Sequence, residues 1–241
     1  MPTAAIIIIG NEILSGRVKD VNSGYLASEL RALGVDVKRI SVIPDDTDAI
    51  AKEVSSASAM HDYVFTAGGI GPTHDDLTIE GVTKGFGLKT VKSDRMADLI
   101  RQRCGGALPE ASVKMTELPE GAELIEQEPG RFPVIVLGNV YIFPGIPSFL
   151  RQKFSAIKNR FRSEPFHIRK IYLNDEECFI AGHLEKVASG FPDVLIGSYP
   201  NVEAGDYKVA VTLESTSTES LGRAFDELLR LIPPLVVVKT E

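Results

Sequence analysis

Residues Ala4–Ile9 are two alanines followed by four isoleucines, and Gly10 closes the run. A continuous β-branched stretch of this kind reads as a strand buried on both faces, the pattern of a central parallel strand. It is far too short to cross a bilayer. No positively charged segment precedes it, so it does not read as a leader. A strand with no polar face needs a layer packed on each side. That requirement favours an α/β architecture from the first ten residues onward.

The next 80 residues supply those layers. Tyr25, Leu26, Leu30 and Leu33 recur at helical spacing, with Gly34 as a stop signal. Val35–Ile43 alternates as a second strand. Pro44-Asp45-Asp46-Thr47 gives a turn and a helix start, and Ile50, Val54 and Ala57 mark the buried face of that helix. Tyr63–Ala67 is a third strand. A glycine loop follows it, and then a helix carrying Leu77, Ile79, Val82 and Phe86, closed near Gly87. This βαβα order predicts a mostly parallel sheet with helices on both faces. In such sheets ligands sit beyond the carboxyl ends of the strands, so Gly10–Gly16, Pro44–Asp48 and Gly68–Asp76 should share one rim.

Further on, Ser93–Cys104 reads as a helix. Phe132–Leu137 and Val140–Phe143 read as strands joined through Gly138-Asn139. Phe143-Pro144-Gly145-Ile146-Pro147 then leads into a helix, with Pro147 in its first turn. From Phe166 the predicted order is β-α-β-β-α-β, a small ferredoxin-like α+β domain. The expected domains are therefore 1–165 and 166–241. The 241 residues carry a net charge of −7, which argues against nucleic-acid binding by phosphate neutralisation. A small phosphorylated ligand remains compatible, because backbone N–H groups bind phosphate without net positive charge. Cys104 and Cys178 form neither a disulfide framework nor a zinc motif, and are expected to be free, partly buried thiols.

The chemistry concentrates between Thr66 and Thr78. Gly68, Gly69 and Gly71 allow close backbone approach to an anion, and Pro72 ends the cradle. Thr73 and Thr78 offer hydroxyl donors. The spacing matches neither a Walker loop nor the dinucleotide fingerprint. Asp75 and Asp76 follow at once. One of them suits a helix cap. Two carboxylates beside an anion site repel it unless a divalent cation intervenes. Capping and metal binding are both open readings of the pair. Gly10, Asn11 and Glu12 lie on the same predicted rim. Asn22, with Asp20, opens the next helix. Asp45 comes from the third loop. Pro144 and Gly145 form either a plain turn or a ligand wall.

Together, Gly10-Asn11-Glu12-Ile13-Leu14, Asp20-x-Asn22, Pro44-Asp45, the Gly68–Thr78 segment and Phe143–Pro147 resemble the molybdopterin-binding domain family. The segment GGIGPTHDD resembles the branch that holds the N-terminal domains of the competence/damage-inducible protein A and of eukaryotic FAD synthase. The resemblance implies a three-layer αβα fold and a cytoplasmic homo-oligomer, dimer or trimer. It matches Asp45 and Asp76 to the two aspartates that support molybdopterin adenylylation in the molybdenum-cofactor members. For the nearer branch it implies metal-dependent cleavage of a dinucleotide pyrophosphate such as FAD or ADP-ribose.

The expected site thus has Asp45, Asp75 and Asp76 as catalytic groups. A divalent cation, Mg²⁺, Mn²⁺ or Co²⁺, would sit on Asp45, Asp76 and Glu12. Substrate would be held by Gly10, Asn11, Glu12, Asn22, Gly68, Gly69, Gly71, Pro72, Thr73, Thr78, Pro144 and Gly145. The expected partners are a small nucleotide or pterin phosphate, with no nucleic acid and no membrane. From the chain's length no nucleotide-transferring or amidase domain is expected. The alternative is a non-catalytic molybdopterin or nucleotide binder linked to molybdenum-cofactor biosynthesis.

Overall fold

A computed structural model describes residues 1–126, 130–203 and 205–241. The chain divides into two compact units, 1–163 and 164–241.

The first unit is built on β1 (Thr3–Ile9). Its isoleucines alternate between two cores: Ile6 and Ile8 face one layer, Ile7 and Ile9 the other. Full burial of such a side chain contributes about 1.5–3 kcal/mol, so a shift of one residue in register would misplace several at once. After a short helix, α1 (Asn11–Leu14), come α2 (Asn22–Ala32), β2 (Asp36–Ile43), α3 (Thr47–Met60), β3 (Tyr63–Ala67) and α4 (Thr78–Gly85). The chain continues through β4 (Thr90–Lys92), α5 (Asp94–Arg103), a 3₁₀ helix (Glu110–Thr116), β5 (Glu117–Pro119) and β6 (Glu123–Ile125). Then β7 (Val134–Leu137), β8 (Val140–Phe143) and α6 (Pro147–Ile157) complete the frame.

The main sheet runs β2-β1-β3-β8-β7-β6. The β1, β2, β3 and β8 strands are mutually parallel, and β7 and β6 are added antiparallel. Leu26 and Leu30 of α2, with Leu150, Phe154 and Ile157 of α6, cover one face. Ile50, Val54 and Ala57 of α3, Val82 of α4, and Met96 and Leu99 of α5 cover the other. This is the three-layer αβα fold. The β7 strand begins at Val134 and not at Phe132, because Pro133 has no N–H to give a ladder. The β4–β5 pair forms a separate two-stranded sheet.

The second unit reads β9 (His167–Leu173), α7 (Glu177–Gly190), β10 (Leu195–Pro200), β11 (Val209–Ser215), α8 (Thr218–Leu231) and β12 (Val237–Thr240). Its sheet order is β10-β11-β9-β12, antiparallel throughout. That is the ferredoxin-like arrangement, with α7 and α8 packed on the core of Ile171, Leu173, Val211 and Leu213. Cys104 and Cys178 are free but exposed, contrary to the burial expected of them. Cys104 caps the end of α5, and Cys178 sits in the first turn of α7 beside exposed Glu177.

Candidate active site

Because β1, β2, β3 and β8 are parallel, their carboxyl ends share one edge, and antiparallel β7 begins at that same edge. A cleft of about 720 Å³ opens there. Glu12, Asp45, Gly68, Gly69, Gly71, Pro72, Thr73, Asp75, Asp76, Pro144 and Gly145 all line it. Three loops, far apart in sequence, thus bring their carboxylates to one cavity. His74 is exposed and outside the lining.

The glycine loop is shaped by contacts that no other residue would permit. Gly68 has φ 118, and a Cβ there would collide with the carbonyl oxygen of Ile9. Gly69 has φ 63, and its Cβ would collide with the Thr78 hydroxyl. Gly68 extends the β3–β8 ladder, its N–H donating to the Phe143 carbonyl at 3.1 Å. That amide is therefore spent, which corrects its expected place in the phosphate cradle. The Thr73 N–H donates to Asp76 Oδ2 at 2.8 Å, and Pro72 has no N–H. Gly69, Ile70 and Gly71 line the cleft, and among the described residues no protein acceptor takes their amides.

Thr78 also takes a different role from the one expected. It is fully buried, its hydroxyl donates to Gly68 O at 2.8 Å, and its N–H donates to Gly69 O at 3.0 Å. It braces the loop from beneath. Thr73 Oγ1 lies 2.6 Å from Asp75 Oδ1 and 2.5 Å from Asp76 Oδ2. Its single proton serves those carboxylates and not a ligand. Asp76 folds back on Thr73 and does not cap α4, which starts at Thr78 after an uncapped Leu77.

The other acids of these loops separate by function. Asp46 caps α3, accepting the Ala49 N–H at 2.8 Å. Asp48 pairs with Lys84. Asp45 is left facing the cleft, with Oδ2 accepting the Asn11 N–H at 2.8 Å. Burial pushes the Asp45 carboxyl above the usual carboxylate range. The Asn11 hydrogen bond opposes that, and the negative charges of Glu12, Asp75 and Asp76 add to it. The Asp75 carboxyl is held below that range, chiefly by the Thr73 hydroxyl, with help from His74 and Lys114.

Gly10, Asn11 and Asn22 do not line the cleft. Gly10 accommodates the Glu12 carboxylate, which a Cβ would meet at 2.6 Å. Asn11 works through its backbone on Asp45. Asn22 is buried and donates from Nδ2 to Gly145 O at 2.7 Å, fixing the wall loop. Asp20 accepts the N–H groups of Asn22 and Ser23, and so finishes the start of α2.

The cleft also holds residues that the sequence did not single out. Arg103 ends α5, Lys114 and Met115 come from the 3₁₀ helix, Phe132 precedes β7, and Lys153 lies on α6. Lys114 donates to Thr73 O and so ties the 3₁₀ helix to the glycine loop. No local motif marks these positions; tertiary structure assembles them.

Fold and cleft together define a class: an αβα domain whose cavity lies at the carboxyl edge of a mostly parallel sheet. The chain belongs to the family described as probable molybdopterin binding domain, which it matches over residues 5–163. Residues 165–241 match the FAD synthase middle domain. A protein of Archaeoglobus fulgidus is 38% identical over 195 residues, covering 81% of this chain and 84% of its own length. A probable FAD synthase of Caenorhabditis elegans is 33% identical across 98% of this chain. The chain spans about half of that protein, 51% of its length. The crystal structure of CinA from Thermoplasma acidophilum matches with a TM-score of 0.62 at 32% identity, over 66% of this chain and 98% of CinA. Among the described residues, no helix is long and apolar enough to cross a membrane.

Proposed function

We propose that this chain hydrolyses the pyrophosphate bond of a dinucleotide of the FAD or ADP-ribose type, with a divalent cation. The observation that carries this reading is the convergence in one cleft of Glu12, Asp45, Asp75 and Asp76 beside Gly69, Ile70 and Gly71, whose amides have no acceptor among the described residues. Four carboxylates next to a phosphate cradle are unfavourable unless positive charge joins them; Asp45 is raised chiefly by burial, and the charges of Glu12, Asp75 and Asp76 add to it.

The donor set fits a hard cation. All the side-chain donors are carboxylate oxygens, which suit Mg²⁺ or Mn²⁺. Among the described residues, no three His, Cys, Asp or Glu side chains form a closed metal-holding group. Glu12, Asp45 and Asp76 are thus not grouped as the three-carboxylate site expected of them, and a cation here would be held by one or two of these carboxylates and completed by substrate phosphate and water. When bound, such a cation polarises a phosphoryl oxygen and acidifies a water.

The chain's own residues do the rest. The amides of Gly69, Ile70 and Gly71 hold one phosphate in place. Asp75, kept ionised by Thr73, orients the attacking water. Pro144 and Gly145 wall the cleft, and Asn22 fixes their position. A relative bears the name of a FAD synthase, so FAD is the first substrate to offer.

The test is a panel of FAD, ADP-ribose, NAD and molybdopterin with Mg²⁺, Mn²⁺ or Co²⁺, products being separated by chromatography, with Asp76→Asn alongside. Full metal-dependent turnover by Asp76→Asn would refute the site assignment. Tight binding without turnover under every metal would instead support a non-catalytic binder of molybdopterin or nucleotide, a reading also compatible with the family match.

A further inference from the structure

Among the described residues that line the cleft, three carry a cationic side chain: Arg103, Lys114 and Lys153. Two of them are held where the chain enters β7. The Arg103 guanidinium stacks over the Phe132 ring, and Lys153 donates to the carbonyls of Phe132 and Pro133. Lys114 is held at the acidic end instead. Its Nζ donates to Thr73 O, on the residue whose hydroxyl bonds Asp75 and Asp76. The Lys114 charge also helps to keep the Asp75 carboxyl low.

The way Lys114 is bound is informative. An ammonium has three N–H groups and no acceptor. The Thr73 carbonyl takes one, and among the described residues nothing else accepts from Lys114. With carboxylates close by, it nevertheless bonds a neutral carbonyl and forms no contact ion pair among the described residues. The tether places the amine, and two donors and a full charge are left for whatever enters the cleft. A lysine of this kind binds phosphate as a point charge. A pyrophosphate presents two phosphates that share one bridging oxygen, and the amides of residues 69–71 serve one of them.

Resting on the dinucleotide reading above, we propose that Lys114 holds the second phosphate, the one that the loop amides do not take, and so makes the site select diphosphates over monophosphates. In cleavage the water oxygen bonds to the phosphorus held by the loop. One water proton passes to Asp75 and the other stays on the new phosphate. The bridging oxygen leaves with the bonding pair on the phosphate beside Lys114. The negative charge that grows there meets an ammonium already in place. Lys114 keeps its own protons throughout.

The experiment measures the affinity of the intact chain by calorimetry with Mg²⁺. The probes are AMP and α,β-methylene-ADP, whose carbon bridge cannot be hydrolysed. Wild type should bind the diphosphate at least fivefold more tightly than AMP. Lys114→Gln, which keeps a donor but loses the charge, should bring the two within twofold and leave AMP itself within twofold of wild type. Lys114→Arg should retain most of the preference. Lys114 is partly exposed on a 3₁₀ helix that Thr116 anchors, so these variants do not threaten the fold. A lysine that only tied that helix to the glycine loop would, on replacement, weaken both probes alike. That result, a preference unchanged in Lys114→Gln, or no binding of either probe would overturn the proposal. A preference that depends on Lys114, with no dinucleotide cleaved under any metal, would sustain it and overturn the hydrolysis. Dinucleotide cleavage with the preference untouched by Lys114→Gln would leave the hydrolysis standing alone.

Discussion

Lys153→Met should change the pH dependence of stability in a direction that the structure fixes. Burial lowers Lys153 from its ordinary 10.5 to about 8. At 1.36 kcal/mol per pH unit, holding that charge in the folded state costs up to about 3 kcal/mol. Below pH 8 both folded and unfolded chains carry the proton, and the cost is present in full. Between pH 8 and 10.5 the folded chain releases its proton while the unfolded chain keeps it, so stability rises with pH. Between pH 7 and 10, wild type should therefore gain about 2 kcal/mol relative to Lys153→Met, after allowance for water reaching the partly exposed amine. The comparison must be of slopes. At any one pH, the variant also leaves two carbonyls without their donor, at about 1–3 kcal/mol. Urea denaturation followed by circular dichroism at pH 7, 8, 9 and 10 reads the difference. Parallel curves for the two proteins would refute the reasoning, because a solvated lysine at 10.5 gives no such divergence in this window.

Other expectations follow from the same geometry. Asp45→Asn keeps an acceptor for the Asn11 amide but removes a charge that folding disfavours at neutral pH. Its melting temperature should hold or rise while turnover falls by about 100-fold, and Mn²⁺ should raise the melting temperature of wild type but not of the variant. Thr78→Val leaves the buried Gly68 carbonyl short of a donor, costing about 1–3 kcal/mol, and Thr78→Ser should restore most of it in thermal denaturation. Gly69→Ala combines a positive φ with a collision against Thr78. It should lose about 1–3 kcal/mol and raise KM; an unchanged KM would mean that the loop does not touch substrate.

Much of the frame was legible because its signals are local. Ile6–Ile9 and Tyr63–Ala67 are β-branched or aromatic runs with nowhere to go but a buried strand. The rim was legible because parallel topology fixes which loops share an edge. What escaped the sequence is of two kinds. The short strands Thr90–Lys92, Glu117–Pro119 and Glu123–Ile125 lack enough residues to show a period, and the 3₁₀ turn at Glu110–Thr116 has none to show. Arg103, Lys114, Phe132 and Lys153 enter the cleft from four separate segments, with no spacing to mark them. Hydrogen-bond assignment was also beyond the sequence. Thr73, Thr78 and the Gly68 amide look like ligand donors in one dimension, yet in three dimensions the two threonines brace the loop and the Gly68 amide joins the β3–β8 ladder.

Incubation of FAD with Mn²⁺ in ¹⁸O-labelled water tests metal-dependent hydrolysis at the acidic rim. Chromatography and mass spectrometry should find FMN and AMP in equal amounts, with the label in the phosphate of one of them. EDTA should abolish the reaction, and Asp76→Asn should reduce it by about 100-fold. Intact FAD after prolonged incubation with every divalent metal, or cleavage at the same rate in EDTA, would rule out metal-dependent hydrolysis at this rim.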